Sequence, residues 1–197
     1  MSIVVEHEKR RKKILDKALA VFMDDGFENA TFQKIADRCG ITRTILYLYF
    51  KNKRDIFNYS IKQLLTSIEE DINKTRADES MSSTEKITKV VMCIFKLFEQ
   101  NRRLLSVVLD YLLHLSKGDT DPEARVHRRT VKLRHILASM VIEGVKAGEL
   151  KKISIKTADN YLYSFIDAAI FQLTVLKRKN LSELKETVVY AIKQLAV

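Results

Sequence analysis

Hydrophobic residues recur every three or four positions along most of the chain, the period that places them on one face of an α-helix. In the first such segment Ile14, Ala18 and Phe22 share a face, and Gly26 is a suitable residue to end the helix. The same period runs through residues 82–98, 103–116, 122–146 and 154–177. The pattern predicts an all-α protein of about nine helices, with no convincing strand and no internal repeat.

Side chains that cap helix N-termini mark where several of these segments begin. The predicted caps and paired capping residues are Thr31 and Thr42, followed by Asn52 with Asp55, Ser82 with Glu85, and Asn180 with Glu183. Two short helices therefore lie between residues 31 and 50, separated by a turn at Cys39-Gly40-Ile41. Together with the preceding helix that ends at Gly26, they have the helix-turn-helix layout.

Residues 42–50, Thr-Arg-Thr-Ile-Leu-Tyr-Leu-Tyr-Phe, combine large apolar side chains with polar ones. At about 100° per residue, Leu46 and Phe50 fall on one side of a helix. The opposite arc contains Arg43, Thr44, Tyr47 and Leu48. The pattern favours a helix with one face in a small core and the other directed outward.

The outward arc suits the major groove of DNA. Arg43 can pair with guanine, and Leu48 or the methyl group of Thr44 can contact a thymine methyl. The Tyr47 phenol and the capping Thr42 are placed to bond phosphates, which fix the register of a protein on DNA. The alternative is a small helical subdomain whose exposed Tyr and Leu pack on another surface.

Composition is consistent with a DNA-binding function. The 197 residues include 35 Lys and Arg against 25 Asp and Glu, and the net charge of +10 favours polyanionic partners. Residues 9–13, Lys-Arg-Arg-Lys-Lys, are the most concentrated basic run, although such runs are typical of a solvated helix start. No apolar run approaches the ~18 residues of a membrane span. Two cysteines, Cys39 and Cys93, cannot form a secreted disulfide framework, so we expect a reducing cytoplasm.

Residues 40–53, Gly-Ile-Thr-Arg-Thr-Ile-Leu-Tyr-Leu-Tyr-Phe-Lys-Asn-Lys, resemble the signature of the TetR family of bacterial transcriptional regulators. The usual form of that signature is Gly-Val-Ser-Lys-Gly-Thr-Leu-Tyr-His-Tyr-Phe-Lys-Ser-Lys. Residues 18–22, Ala-Leu-Ala-Val-Phe, and 31–36, Thr-Phe-Gln-Lys-Ile-Ala, also fit the first two helices of the family. The match covers roughly residues 10–57, and beyond them the shared feature is the all-helical layout.

The resemblance implies roles for individual residues. The base-facing positions of the family correspond to Gln33, Arg43, Thr44, Tyr47 and Leu48. The phosphate-contacting positions correspond to Thr31, Thr42, Tyr49 and Lys53. Thr44, Ile45 and Leu48 replace the common Gly, Thr, and His or Trp of the family, so the operator sequence cannot be transferred from a relative.

The resemblance also implies a homodimer that binds a palindromic operator in double-stranded DNA. A small-molecule effector, bound in the C-terminal domain, would change the spacing of the two DNA-binding heads. We therefore expect a DNA-binding domain at residues 1–55 and an effector-binding and dimerisation domain at residues 56–197. We expect no cofactor and no membrane partner.

The last two predicted helices carry broad apolar faces, and in the family the corresponding helices pair across the dimer axis. The candidate interface residues are Ile166, Ile170, Leu173, Leu184, Val188 and Ile192. So wide a stripe favours a partner, but burial inside one protomer would give the same periodicity.

Six residues are candidates to line an effector cavity, although each also fits an ordinary core position. They are Phe95, Phe98, Tyr111, His114, Tyr161 and Phe165. Asp110 and His114 have the spacing of two metal ligands, but the sequence offers no third ligand nearby, so we predict no metal site. Asp167 lies in an apolar stretch, at a dimer seam or in a pocket, because unpaired burial of a carboxylate is costly. We interpret the basic run at residues 125–135 as a solvated face.

The leading hypothesis is a homodimeric repressor that a small-molecule effector releases from its operator. The alternative is a DNA-bound factor whose C-terminal domain recruits or inhibits a protein partner without such a ligand. We do not expect an enzyme, because the sequence has no G-x-S-x-G, phosphate-binding loop, H-E-x-x-H, Cys/His cluster or dinucleotide motif.

Overall fold

The computed structural model describes residues 3–116 and 122–197, with side chains for residues 5–63, 66, 68–113 and 133–197. These residues form nine helices, which confirms the all-α prediction. They are α1 (Ile3–Asn29), α2 (Phe32–Cys39), α3 (Arg43–Tyr49), α4 (Lys53–Ala77), α5 (Ser83–Gln100), α6 (Arg102–Ser116), α7 (Pro122–Lys146), α8 (Ile155–Thr174) and α9 (Ser182–Lys193). None of the described helices is long and apolar enough to cross a membrane.

The N-terminal compact unit comprises residues 1–69 and 106–114. Its core contains the apolar residues that the helical period placed inward: Ile14, Ala18, Phe22, Ile35, Leu46 and Phe50. The helical path of α1 is interrupted at Gly26, whose φ of 77° is strained for any residue with a Cβ atom. The first helical segment therefore ends at this glycine, as the sequence predicted, and a second short helical segment follows it to Asn29.

The caps of α2 and α3 form as predicted. The side-chain oxygen of Thr31 accepts a hydrogen bond from the backbone N–H of Lys34 at 3.2 Å, and Thr42 accepts one from Ile45 at 3.3 Å. Gly40 ends α2 in the left-handed conformation with a φ of 69°. These groups fix the turn that separates the two helices.

The C-terminal compact unit comprises residues 70–105 and 115–197, and α5 is its centre. This helix packs against α7, α8 and α9 and buries Ile87, Val90, Val91, Ile94 and Phe95. The predicted capping box of Ser82 and Glu85 is present at its start. A Cβ atom at Gly144 of α7 would lie 2.8 Å from Cβ of Ser83, so glycine permits the close approach of α7 to the start of α5.

The start of α9 differs from the prediction. The N-cap is Leu181 rather than Asn180, although the Asn180 side chain accepts a 3.2 Å hydrogen bond from the backbone N–H of Ser182, the first residue of α9. Glu99 of α5 also accepts a hydrogen bond from the backbone N–H of Leu181 at 2.8 Å, and its carboxylate forms an ion pair with Lys185 at 2.7 Å. Sequence analysis missed this cap because Glu99 is 82 residues from Leu181 in the chain.

Glu99→Gln is expected to lower the free energy of unfolding by about 1–3 kcal/mol at neutral pH, because Lys185 loses its charged partner. Burial raises the pKa of the Glu99 carboxyl, but the hydrogen bonds from Lys185 and Leu181 outweigh it, so the pKa lies below its ordinary value. The stabilisation is therefore present above the unfolded-state pKa and is lost as the pH falls through the folded-state pKa.

Chemical denaturation of the wild type and Glu99→Gln at a series of pH values would measure this difference. We expect the two stabilities to converge in acid. The exposed Glu186 on α9 supplies the control variant Glu186→Gln. An equal loss in both variants would contradict the capping role of Glu99.

Candidate nucleic-acid interface

The outward face of α3 matches the arc derived from the sequence. Leu46 and Phe50 are buried in the N-terminal unit. Arg43, Thr44, Tyr47 and Leu48 are exposed, with 75% of Leu48 and 52% of Tyr47 accessible. So large an exposed apolar surface on a seven-residue helix is a candidate contact surface.

The exposed Tyr47 is held in place by its neighbours. Its ring stacks on the ring of Phe32, with the centroids 4.5 Å apart and an interplanar angle of 27°. The guanidinium of Arg43 donates a 3.5 Å hydrogen bond to its hydroxyl. This contact is long, so Arg43 can exchange it for a base edge at little cost, while Phe32 keeps the Tyr47 ring directed outward.

Gln33 is the predicted base-facing residue on α2, and it is exposed. Its amide nitrogen donates a 2.7 Å hydrogen bond to the carboxylate of Asp37, one turn later. That bond leaves the amide oxygen and the second N–H of Gln33 available for DNA. These are the two groups with which glutamine pairs with adenine.

The predicted phosphate contacts from Thr31 and Thr42 are compatible with their capping roles. Each hydroxyl accepts a bond from a backbone N–H and is exposed. A hydroxyl that accepts one hydrogen bond still has its proton to donate. Phosphate oxygens accept only, so each threonine can cap its helix and bind DNA at the same time.

Two cations of α2 are paired with the carboxylates of α1. Lys34 lies 2.8 Å from Asp25, and Arg38 lies 2.9 Å from Asp24. Exposed pairs of this kind contribute little stability. Their consequence is electrostatic, because they neutralise part of the positive charge near the helix-turn-helix.

Lys53 has a structural role that sequence analysis missed. Its ammonium donates hydrogen bonds to the carbonyls of Phe27 at 2.9 Å and Glu28 at 2.8 Å, and lies 4.7 Å from the centroid of the Phe27 ring. Lys53 therefore supplies hydrogen-bond donors to carbonyl groups at the end of α1, after the kink at Gly26. Two of its three N–H donors are used in this way, and its phosphate contact stays a prediction.

Two side chains of α1 contact aromatic rings in α3 and next to it. Sequence analysis gave His7 no role and placed Arg11 only in a solvated basic run. The imidazole of His7 stacks on the ring of Tyr49, with the centroids 4.4 Å apart and an interplanar angle of 22°. The guanidinium of Arg11 lies 4.2 Å from the ring centroid of Tyr59 and 5.4 Å from that of Phe50. Their spacing in the sequence could have indicated these contacts, because residues at positions 7, 11 and 14 lie on one face of a helix, and Ile14 on that face is buried.

The six effector-cavity candidates fall in different places. Tyr111 belongs to the N-terminal unit, where its ring packs on Phe27 at 4.4 Å and on Phe57 at 5.0 Å, and Arg54 donates a 3.0 Å bond to its hydroxyl. The C-terminal unit contains Phe95, Phe98, Tyr161 and Phe165. Phe95 is buried, and the hydroxyl of Tyr161 donates to the carbonyl of Ala191. The side chain of His114 lies outside the described residues, as do those of residues 125–132 in the basic run.

The six candidate interface residues lie largely inside the protomer. Five of them are buried and the sixth is half-buried: Ile166, Leu173, Leu184, Val188 and Ile192, with Ile170 at the edge. Packing within the C-terminal unit accounts for these side chains without a partner. A different apolar set remains exposed on α8, on α9 and after the end of α8: Ile155, Phe171, Val175, Leu176 and Tyr190.

The remaining chemical candidates show no activated group. Burial raises the pKa of the Cys39 thiol, and burial with the nearby charge of Asp71 raises that of Cys93, so both are thiols at neutral pH. Asp167 is exposed on α8, and partial burial raises the pKa of its carboxyl against the opposing effect of Arg134. Among the described residues, no three His, Cys, Asp or Glu side chains form a potential metal site.

Comparison with known proteins agrees with this geometry. Residues 14–59 match the profile of the family described as bacterial regulatory proteins, tetR family. The chain is 28% identical over 170 residues to the Fatty acid metabolism regulator protein of Bacillus subtilis (strain 168), which covers 83% of this chain and 84% of that protein. It is 27% identical over 142 residues to the HTH-type transcriptional repressor KstR2 of Mycolicibacterium smegmatis, covering 72% and 68%.

Solved structures share the fold over nearly the whole chain. The transcriptional regulator FadR from Bacillus subtilis, in complex with stearoyl-CoA, superimposes with a TM-score of 0.71 at 25% identity, covering 91% of this chain and 96% of that one. A TetR transcription regulator from Haloarcula marismortui gives a TM-score of 0.76 at 17% identity, covering 96% and 97%. The fold and the helix-turn-helix define a DNA-binding transcriptional regulator. The chain resembles proteins of the TetR family, whose profile its residues 14–59 match.

Arg43→Ala and Lys53→Ala are expected to affect DNA binding differently. Removal of a base contact made by Arg43 should cost ~1–3 kcal/mol of binding free energy and relax the preference at one operator position. Lys53→Ala should weaken binding to all sequences alike and reduce its salt dependence, and it should also lower thermal stability because the carbonyls of Phe27 and Glu28 lose their donor.

Fluorescence anisotropy on a set of single-base operator variants, at several salt concentrations, would separate the two effects. Lys51→Ala, which removes an exposed cation between α3 and α4, is the matched control. If both substitutions leave operator affinity unchanged, α3 is not the recognition helix.

Proposed function

We propose that this protein is a homodimeric repressor that binds a palindromic operator and is released from it by a long-chain acyl-CoA. The observation that carries the DNA-binding part is the exposed face of α3. Arg43, Tyr47 and Leu48 project from a helix whose other side is fixed in a core. Such a face supplies groups for guanine, phosphate and thymine methyl on a rigid support.

The apolar surface on the last two helices supports the homodimer. Phe171, Val175 and Tyr190 are 52%, 53% and 69% exposed, while the opposite faces of α8 and α9 are buried in the C-terminal unit. Exposed patches of large apolar side chains are typical of interfaces between proteins. A dimer would also present two recognition helices to two half-sites, as helix-turn-helix proteins do.

The proposed effector follows from the relatives. The Bacillus subtilis relative that resembles this chain over most of its length is a fatty acid metabolism regulator. The solved structure of FadR from Bacillus subtilis, which shares the fold, is a complex with stearoyl-CoA. An acyl chain requires an apolar environment, and a helical unit with apolar faces is suited to provide one. Binding of the effector would favour a conformation in which the two heads no longer match the operator.

Phe171→Glu is expected to weaken the homodimer, because it places a charge in the exposed apolar surface of α8. Sedimentation velocity at a series of protein concentrations would show a lower fraction of dimer than in the wild type. Val5→Glu, a comparable change at an exposed position of the N-terminal unit, should leave that fraction unchanged. A wild-type protein that remains monomeric at micromolar concentration would refute the proposed dimer.

The operator can be found by selection from a random duplex library at physiological salt. We expect an enriched palindrome with half-sites about one helical turn apart. Weak enrichment that disappears with added salt would instead show that net charge alone drives binding.

The enriched duplex then serves as the probe for the effector. Stearoyl-CoA is expected to release the duplex, whereas free coenzyme A at the same concentration is not. Free stearate tests whether the acyl chain alone suffices. If stearoyl-CoA leaves the complex intact, the effector is not a long-chain acyl-CoA, and retention in the presence of all acyl ligands would favour the factor that acts through a protein partner.

A further inference from the structure

The first part of α1 precedes the residues that match the family profile. The helix starts at Ile3, and the profile matches residues 14–59. We call residues 3–13 the N-terminal extension. It contacts α3 directly, because His7 stacks on Tyr49 at 4.4 Å. Tyr49 is one of the predicted phosphate contacts, so the extension lies next to the expected path of the DNA backbone.

Basic residues of α1 form a stripe on one flank of the helix. Arg10, Lys13 and Lys17 fall within an arc of about 60° and are all exposed. We call these three residues the basic stripe. Glu6 lies on the same arc, but three cations against one carboxylate leave this part of the flank positively charged overall.

Contacts farther along α1 show which neighbour this flank faces. Asp24 lies on the same arc and pairs with Arg38 of α2 at 2.9 Å. The charge of Lys17 lowers the pKa of the Cys39 thiol at the end of α2, against the larger effect of burial. The basic stripe is therefore on the side of the helix-turn-helix.

The other flank of α1 faces α4. Lys9 and Lys12 line a cleft together with Gln63 of α4, and the amide of Gln63 donates a 2.5 Å bond to Asp16. The two flanks carry similar charge but differ in the helix that they face. If variants of the two flanks differ in DNA affinity, charge alone therefore cannot explain that difference.

We propose that the N-terminal extension is a second contact with the DNA backbone, in which Arg10 and Lys13 bind phosphates beside the half-site and His7 positions Tyr49. The proposal rests on the proposed function, since it requires an operator complex. Two observations select DNA as the occupant of this flank. The basic stripe complements the charge of phosphates, and the stack between His7 and Tyr49 makes it continuous with the recognition helix.

The test compares two double variants that remove the same charge from opposite flanks. Arg10→Ala/Lys13→Ala removes two residues of the basic stripe, and Lys9→Ala/Lys12→Ala is the matched control. Affinity for the selected operator is measured for each variant between about 50 and 200 mM salt, the range in which phosphate contacts change affinity strongly. Thermal unfolding confirms that both variants fold.

The stripe variant should show a less steep dependence of log affinity on log salt, by roughly 0.9 for each phosphate that the protein no longer binds, with its base preferences unchanged. The control should remain close to the wild type. Equal slopes for the two variants would overturn the proposal while leaving the proposed function intact. A wild-type protein that selects no operator would overturn both.

His7 requires a separate comparison, because it acts through Tyr49. His7→Ala removes the stack, whereas His7→Phe keeps an aromatic ring in the same place. We expect weaker operator binding by His7→Ala and recovery by His7→Phe. Equal affinity of the wild type and both variants would show that the stack does not position Tyr49 for DNA.

Discussion

The candidate DNA-binding surface depends on the burial of Leu46 in α3 and of Phe50, the residue that follows the helix. A helix of seven residues is too short to be stable alone, because nucleation costs more than so few hydrogen bonds return. Leu46 and Phe50 fix it to the core of the N-terminal unit, and the cap from Thr42 fixes where it begins. Since the anchored side is set by these residues, the side that carries Arg43, Tyr47 and Leu48 is set as well. The geometry of the candidate recognition surface is thus a consequence of core packing.

Sequence periodicity predicted the parts of this fold that depend on local chemistry. The inward residues of α1, α2 and α3, the caps Thr31 and Thr42, and the capping box at Ser82 are all properties of short segments, and all were confirmed. The boundaries of α8 and α9 were less accurate, since α8 ends at Thr174 rather than near residue 177. Helix ends that depend on a tertiary contact leave little trace in the local sequence.

The polar contacts that sequence analysis missed share one property, which is that they join distant segments. Lys53 satisfies carbonyls 25 and 26 residues away, and Glu99 caps a helix 82 residues later. Each looks like an ordinary surface charge in the sequence, because its partner is a backbone group and any residue supplies one. The stack of His7 on Tyr49 is similar, since neither residue has an apolar period of its own. The spacing of His7 and Ile14 indicates that they share a helical face, but a single sequence does not show which distant residue such a side chain contacts.

The N-terminal compact unit is discontinuous in the chain, because residues 106–114 of α6 belong to it. Through Tyr111 they supply an aromatic ring that packs on Phe27 and Phe57 and is itself buried. A gene fragment that ends after residue 69 would encode the helix-turn-helix without this part of its core. Recombination at a single crossover would therefore transfer an incomplete head between related regulators. New operator specificities are more readily acquired by point substitutions on the exposed face of α3, for example at Leu48, which is 75% exposed.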